Sequence, residues 1–265
     1  QVVSLTLLAL LLAQTKGKLT TGQIRMLFRE LGDTAEQIQH ILDTQRAAVH
    51  EAALACREAR SALFVGRGMG SAISCEGALK LKEVSYLHAE AYAAGEMKHG
   101  PIALIERGFP VIAVATKSPT YDKTVSNLKE CEARGACIIA VATEGDEEIT
   151  RVADHVIYVP PVRDALSPIT ATVPLQLLAR EVAVLRGCDV DQPRNLAKSV
   201  TASSCEPAQP MRASTRCPHR PDARINPTPA STRRRPPSNR GTTSGPAMRR
   251  RGSDNAAHTG FPVAR

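Results

Sequence analysis

Four short apolar runs, separated by segments of helical character, constrain the fold of this chain more than any other feature. They occupy residues 62–65, 111–116, 137–143 and 155–160. A glycine-rich turn at residues 66–70 follows the first run and leads into a helix. Buried strands that alternate with helices form a parallel sheet covered on both faces. The sequence therefore predicts an α/β fold, a doubly wound parallel sheet flanked by helices, with ligand sites beyond the carboxyl ends of its strands.

Helices are predicted between the strands and before them. Two lie between strands, at residues 121–134 and 144–152, and the second of these is short and acidic; a third, at residues 172–186, follows the last strand. Gly135 and Gly187 follow the two longer helices, and a glycine just past the last turn is a common helix end. Ahead of the sheet, residues 1–14, 20–31 and 34–59 are predicted to form three more helices.

The first of these helices is almost entirely apolar. Its apolar run, residues 2–13, is shorter than the roughly 20 residues that cross a bilayer. It also lacks the basic start and the cleavage pattern of a signal peptide. No membrane association is predicted. We expect a buried helix whose packing partners lie upstream, and because the chain begins with Gln1 we expect a fragment of a longer protein.

The composition changes abruptly after residue 201. Residues 202–265 contain 12 arginines, three acidic residues and 10 of the 18 prolines, and their charge accounts for the net +8 of the chain. Such a segment cannot bury enough apolar surface to fold, so we predict a disordered basic tail. Two interpretations stay open: an arm that attracts polyanions non-specifically, and a tail without a role. No aromatic side chains interleave with the arginines to stack bases, so nucleic-acid recognition is not predicted.

The seven cysteines indicate the redox compartment of the protein and whether disulfides or a metal site are expected. None forms a Cys-x-x-Cys pair, and no histidine lies at metal-ligand spacing from a cysteine pair. An odd number of cysteines in a chain of this length favours reduced thiols over a disulfide framework. We predict a cytoplasmic protein without a metal site.

Residues 76–101 concentrate the polar chemistry of the chain. Glu76, Lys80 and Glu83 are spaced so that on a helix they share one face. His99 follows in a Lys-His-Gly-Pro turn, which cannot continue a helix. A surface ion pair and a turn histidine explain this spacing as well as a set of acid–base groups does. Arg67 in the glycine-rich turn has two similar interpretations, a phosphate contact or a solvated loop side chain.

Three sequence stretches carry a resemblance to a known family. They are EGALKLKEVSYLHAEAYAAGEMKHGPIALIE (76–106), TVPLQLLA (172–179) and DVDQPRNLAKSVT (189–201). Residues 61–201 resemble the second sugar-isomerase (SIS) domain of the isomerizing glutamine–fructose-6-phosphate aminotransferases. Residues 1–60 resemble the end of the first SIS domain of that family and its connecting helices. The resemblance implies two regions, residues 1–60 and residues 61–201, and the change in composition adds a third, the tail of residues 202–265.

The resemblance also implies an activity and a set of site residues. The family makes glucosamine 6-phosphate from fructose 6-phosphate, with ammonia that a glutaminase domain releases from glutamine. Lys198 corresponds to the lysine that forms a Schiff base with the sugar C2 carbonyl, and with Ala197 it contributes to substrate binding. Glu83 corresponds to the carboxylate that moves a proton between C1 and C2, with Lys80 assisting. His99 corresponds to the ring-opening histidine, contributed across a homodimer interface. The family implies no cofactor.

Two parts of the family pattern are missing from this sequence. They are the glutaminase domain and the Ser/Thr-rich loop of the first isomerase domain, which holds the sugar phosphate. We therefore expect that this chain alone does not catalyse the glutamine-dependent reaction. The alternative is a SIS module that binds a sugar phosphate and regulates without catalysis.

Overall fold

A five-stranded, all-parallel sheet forms the centre of the part of the chain that the structure describes. The structure is a computed structural model, and it describes residues 1–196. The strand order is β2-β1-β3-β4-β5. The strands are β1 (Ser61–Gly66), β2 (His88–Ala93), β3 (Pro110–Ala115), β4 (Cys137–Thr143) and β5 (His155–Val159). The predicted α/β class and all four predicted strand regions are confirmed.

The sequence prediction missed β2, the strand at one edge of the sheet. Its sequence, HAEAYA, alternates alanine with polar side chains and contains no aliphatic run. It pairs with β1 from His88 opposite Ser61 to Ala93 opposite Gly66. An edge strand has one neighbour and less burial than a central strand, so it lacks the continuous apolar pattern of β3 and β4.

Seven helices surround the sheet in the described residues. They are α1 (Val2–Thr15), α2 (Thr21–Thr44), α3 (Arg46–Cys56), α4 (Met69–Ser85), α5 (Tyr121–Glu132), α6 (Ser167–Thr170) and α7 (Thr172–Leu185). Shorter 3-10 segments occupy Ala94–His99, Pro101–Leu104, Ile149–Arg151 and Asp164–Leu166.

Two helix predictions were wrong. The predicted break near residue 32 does not occur, because α2 continues through Gly32 and the chain breaks at Gln45 instead. The acidic helix predicted for residues 144–152 is a loop with one 3-10 turn. There the Asp146 carboxylate accepts hydrogen bonds from the backbone N–H groups of Glu148 and Ile149, at 3.1 and 3.4 Å. Such side-chain-to-backbone bonds compete with a regular helix.

The sheet has a separate hydrophobic core on each face. On one face, α3, α4 and α7 pack on strand residues that include Phe64, Ile112 and Ile139. On the other face, α5 and the 3-10 segments pack on the alternating residues, which include Leu63, Val111 and Ile138. This alternation is the two-residue period of a strand buried on both sides. The helical stretch Asp164–Leu185 is long and apolar enough to cross a membrane, but it packs on α3 and α4 as a core helix of the sheet.

Polar contacts fix the N-terminal helices to the sheet region. The Nε2 atom of His40 lies 2.8 Å from the Glu144 carboxylate, and the Gln45 side chain accepts the Tyr158 N–H at 2.9 Å. Arg163 donates two hydrogen bonds of 2.7 Å to Glu30. By contrast, α1 buries only Leu10 within the described part of the chain.

Candidate active site

The direction of the strand order changes between β1 and β3, and the glycine-rich turn follows the carboxyl end of β1. Glu83 lies at the other end of α4, close to the amino end of β2, so it is not among the residues at the carboxyl ends of the strands. A Cβ atom on Gly66 would lie 2.3 Å from the backbone oxygen of Gly70, so only glycine fits at that position. Arg67 is partly buried, and its guanidinium donates a 2.7 Å hydrogen bond to the Asn127 side chain on α5. It is therefore not a fully solvated loop side chain, and a phosphate contact stays a prediction.

Helix α4 forms because its inward face is apolar and closely packed. Gly77 lies against α7 and β1, where an added Cβ would come within 2.7 Å of Leu175 and 2.8 Å of Phe64. Ile73 and Leu81 are buried on the same face. The polar residues of α4 are thereby turned away from the core, which places Glu76, Lys80 and Glu83 together on the outer face.

These three side chains form a continuous ion-pair chain. The Lys80 ammonium lies 2.7 Å from the Glu83 carboxylate and 3.6 Å from that of Glu76. The hydrogen bond with Glu83 raises the pKa of Lys80, and the negative charges of both glutamates add to that effect. The side chains of Lys80 and Glu83 are 31% and 28% exposed, so the group is accessible without being fully solvated. The predicted shared face is confirmed.

His99 lies apart from this ion-pair chain. It ends the 3-10 segment Ala94–His99, whose Ala94 and Met97 are buried in the core opposite to that of α4. Its Nδ1 atom is 2.8 Å from the Glu96 carboxylate, and its side chain is 72% exposed. Glu83 and His99 therefore belong to elements on opposite faces of one sheet. The structure does not bring them together within a single chain.

The predicted residues Ala197 and Lys198 lie outside the described residues. The segment that precedes them returns from α7 to the carboxyl end of α4. There the backbone N–H of Arg194 donates to the Tyr86 hydroxyl at 2.7 Å. Sequence reasoning selected neither Tyr86 nor Arg194, because no spacing rule links residues so far apart in the chain.

Comparisons with known proteins identify the domain that contains the ion-pair chain and His99. Residues 56–186, which contain all five strands, match the SIS domain family. Residues 56–186 form a SIS domain. The resemblance drawn from the three stretches at residues 76–106, 172–179 and 189–201 is confirmed.

Relatives extend the similarity on both sides of the SIS domain. The chain is 54% identical over 199 residues to glutamine–fructose-6-phosphate aminotransferase [isomerizing] of Thermus thermophilus, covering 75% of this chain and 33% of that protein. The protein of the same name from Chlorobaculum tepidum is 49% identical over 202 residues, covering 76% and 32%. The chain thus spans about a third of the length of these curated relatives.

A solved structure shows the same arrangement. The C-terminal domain of glucosamine-fructose-6-phosphate aminotransferase from Francisella tularensis is 38% identical and superimposes with a TM-score of 0.68. The match covers 72% of this chain and 54% of that one.

The described residues contain neither a metal-binding group nor a disulfide. Among residues 1–196, no three His, Cys, Asp or Glu side chains form a group able to hold a metal ion. The expectation of a site without metal or cofactor stays a prediction. The five cysteines of this region are free thiols. Burial raises the pKa of Cys56 to about 12 and that of Cys131 to about 11, so both are inert core residues.

Proposed function

We propose that this chain supplies the second isomerase domain of an aminotransferase that makes glucosamine 6-phosphate from fructose 6-phosphate and glutamine. The 54% identity over 199 residues to the Thermus protein of that name carries the proposal. In this proposal residues 61–201 are the isomerase domain, residues 1–60 connect it to the preceding domain, and residues 202–265 are an appended tail. The protein works in the cytoplasm.

The chemistry assigned to the site needs an amine and a base. The Lys198 amine attacks the C2 carbonyl of the open-chain ketose and expels water, giving a Schiff base, while Ala197 helps to hold the sugar. Ammonia released from glutamine then displaces the Lys198 amine at C2, which frees the lysine and leaves a C2 imine. Glu83 takes a proton from C1 and returns it to C2, which converts the imino sugar into an amino aldehyde. The 2.7 Å contact with Lys80 supports this role, because it fixes the orientation of the Glu83 carboxylate.

His99 opens the sugar ring in this proposal, and it does so in the active site of a partner subunit. The segment that carries His99 packs on the sheet face opposite to that of α4, and this supports that assignment. Its high exposure leaves the ring free to meet a second protomer. A homodimer of this kind would contain two equivalent sites.

A chimera tests the proposed function. Residues 1–200 of this chain replace the matching third of the Thermus thermophilus enzyme, and glucosamine 6-phosphate formation from glutamine and fructose 6-phosphate is measured. We expect turnover that is lost on Lys198→Arg. The 265-residue chain by itself is expected to give none, and turnover by that chain would contradict our account of what it lacks.

The same chimera separates catalysis from regulation. A folded chimera without turnover would refute the aminotransferase assignment. If the 265-residue chain then bound fructose 6-phosphate in equilibrium dialysis, the alternative of a regulatory SIS module that binds a sugar phosphate without catalysis would be favoured.

A further inference from the structure

The His99 ring has a hydrogen-bond partner on its own 3-10 segment. Its Nδ1 atom lies 2.8 Å from the Glu96 carboxylate. A carboxylate accepts hydrogen bonds and donates none, so Nδ1 carries the proton in this contact. In a neutral imidazole the other nitrogen then holds the lone pair, because only one of the two carries a proton. The contact with Glu96 therefore selects the tautomer in which Nε2 is the basic atom.

The geometry of the 3-10 segment Ala94–His99 brings these two side chains together. A 3-10 helix has three residues per turn, so side chains three positions apart lie one above the other. Ala94 and Met97 form one such pair, which is buried in the core. Glu96 and His99 form another, and their side chains are 63% and 72% exposed. The local helix type thus sets the pairing.

Contacts of the neighbouring residues hold the segment in place. The Lys98 ammonium lies 2.8 Å from the Glu130 carboxylate on α5. Gly95 packs closely on Arg67, where an added Cβ atom would lie 3.0 Å from the guanidinium. Within residues 1–196, the one ion pair of Glu96 is that with the histidine. The carboxylate is therefore committed to the imidazole and is not shared with Lys98.

A histidine with its proton on Nδ1 suits the ring opening assigned to His99. The Nε2 lone pair takes the proton of the hydroxyl group on C2 of the closed sugar. The electrons of that O–H bond form the C2 carbonyl, the bond from C2 to the ring oxygen breaks, and the ring oxygen receives the proton from Nε2. Between the two proton transfers the imidazole is positively charged, and the Glu96 carboxylate stabilises that charge. The opposite tautomer has no lone pair on Nε2 for the first transfer.

We propose that Glu96 is a positioning residue, which fixes His99 in the Nδ1–H tautomer and keeps Nε2 available to take up the sugar proton. The catalytic part of this inference rests on the proposed function, whereas the tautomer can be measured without substrate. If the two residues formed only a surface ion pair, replacing Glu96 would leave catalysis unchanged.

Nitrogen NMR measures the tautomer in the 265-residue chain, produced with isotope-labelled histidine. Two-bond proton–nitrogen correlations distinguish the protonated from the unprotonated ring nitrogen. The spectrum is recorded at about pH 8.5, where free histidine is neutral. His99→Asn identifies the signals of this ring. We expect the Nδ1–H form in the unsubstituted chain.

Two variants separate the acceptor from its charge. Glu96→Ala removes the acceptor, so we expect the Nε2–H form of His99 to become the main one. Glu96→Gln keeps an acceptor oxygen without the charge, so the Nδ1–H form should persist. In the chimera with the Thermus enzyme, Glu96→Ala should lower kcat about 10²-fold and Glu96→Gln about 10-fold. KM should change by less than about twofold, because the lost interaction acts in the proton transfer and not in substrate binding.

A second histidine of the chain provides a matched control. The Nδ1 atom of His50 on α3 lies 2.8 Å from the Glu181 carboxylate on α7, the same atom type at the same distance. Glu181→Ala should change the tautomer of His50, but it should leave the tautomer of His99 and the kcat of the chimera unchanged. Loss of the Nδ1–H form at His50 also shows that the method detects removal of a carboxylate.

Three results would overturn the proposal. They are an Nε2–H form of His99 in the unsubstituted chain, an unchanged tautomer in folded Glu96→Ala, and an unchanged kcat in that variant. If circular dichroism shows that Glu96→Ala does not fold, the tautomer of the unsubstituted chain and the kcat of Glu96→Gln decide. Failure of the proposed function gives a different pattern: the tautomer would depend on Glu96, while the chimera would show no turnover even with Glu96 in place.

Discussion

Lys80 is the best-defined polar residue of the proposed site, since it contacts two carboxylates of its own helix. Partly exposed ion pairs contribute little to stability, about 0–1 kcal/mol. The raised pKa of Lys80 keeps the pair charged at neutral pH, and its contribution is lost only as the pH rises above the unfolded value of 10.5. A role in catalysis is therefore separable from a role in folding.

Replacing Lys80 is expected to impair turnover more than folding. In the chimera, Lys80→Gln should lower kcat by about 10²-fold if Lys80 takes part in proton movement with Glu83. Urea unfolding should change by less than about 1 kcal/mol. Lys82→Gln, at an exposed position on the same helix, is the control and should leave kcat unchanged. Equal kcat values for the two variants would exclude Lys80 from the mechanism.

Cys56 makes stability sensitive to alkaline pH. Burial raises its pKa from 9.0 to about 12, so the unfolded chain releases this proton first as the pH rises. The stabilising effect is complete below pH 9 and disappears as the pH approaches 12. We expect Cys56→Ala to flatten the decrease in unfolding free energy over this range. The matched variant Cys75→Ala, at an exposed position, should leave the slope as it is.

Among the elements, α4 determines the geometry of the site because its close packing leaves no freedom to rotate. Gly77 is the point of closest approach to α7 and β1. The sequence could place Glu76, Lys80 and Glu83 on one face from their spacing alone. It could not show that a glycine on the opposite face fixes where that face points.

Two glycine substitutions test this packing. Gly77→Ala is expected to destabilise the chain by about 1–3 kcal/mol, because the new Cβ overlaps Leu175 and Phe64. Gly32→Ala in α2, where nothing lies within 4 Å of the added Cβ, should instead stabilise it by about 0.5–1 kcal/mol. Urea unfolding of both variants gives the comparison. A neutral Gly77→Ala would show that α4 can shift away from α7.

The errors of the sequence prediction have local physical causes. The apolar runs of β1, β3 and β4 could be recognised because central parallel strands are buried on both faces. The strand β5 lies at the other edge of the sheet, and it was recognised because its sequence, HVIYV, is still mostly apolar. The edge strand β2 and the Asp146 loop gave no such signal. The contact between Tyr86 and Arg194 was unpredictable for a different reason, since it depends on how two distant segments meet after folding.

For the whole molecule, the separation of Glu83 and His99 on opposite sides of the sheet gives a test of the dimer. A chimera with Glu83→Gln and a second with His99→Asn should each be inactive. Unfolding and refolding them together forms mixed dimers, in which one of the two sites is intact. We expect about a quarter of the unsubstituted activity to return.

The control for this experiment is the same mixture without refolding, which contains no mixed dimers and should stay inactive. If activity does not return although mixed dimers form, His99 and Glu83 act within one chain or His99 plays no part. Either outcome would refute the shared-site arrangement.

Helix α1 has a practical consequence for work with this chain. Its exposed apolar side chains are Val2, Val3, Leu5, Leu7, Leu8, Leu11 and Leu12. A contiguous exposed hydrophobic surface of this kind promotes aggregation in water and binds chaperones during synthesis. Yield and shelf life of the purified protein will therefore depend on what covers this helix, and detergents or fusion tags will influence them more than substitutions at Lys80 or Glu83.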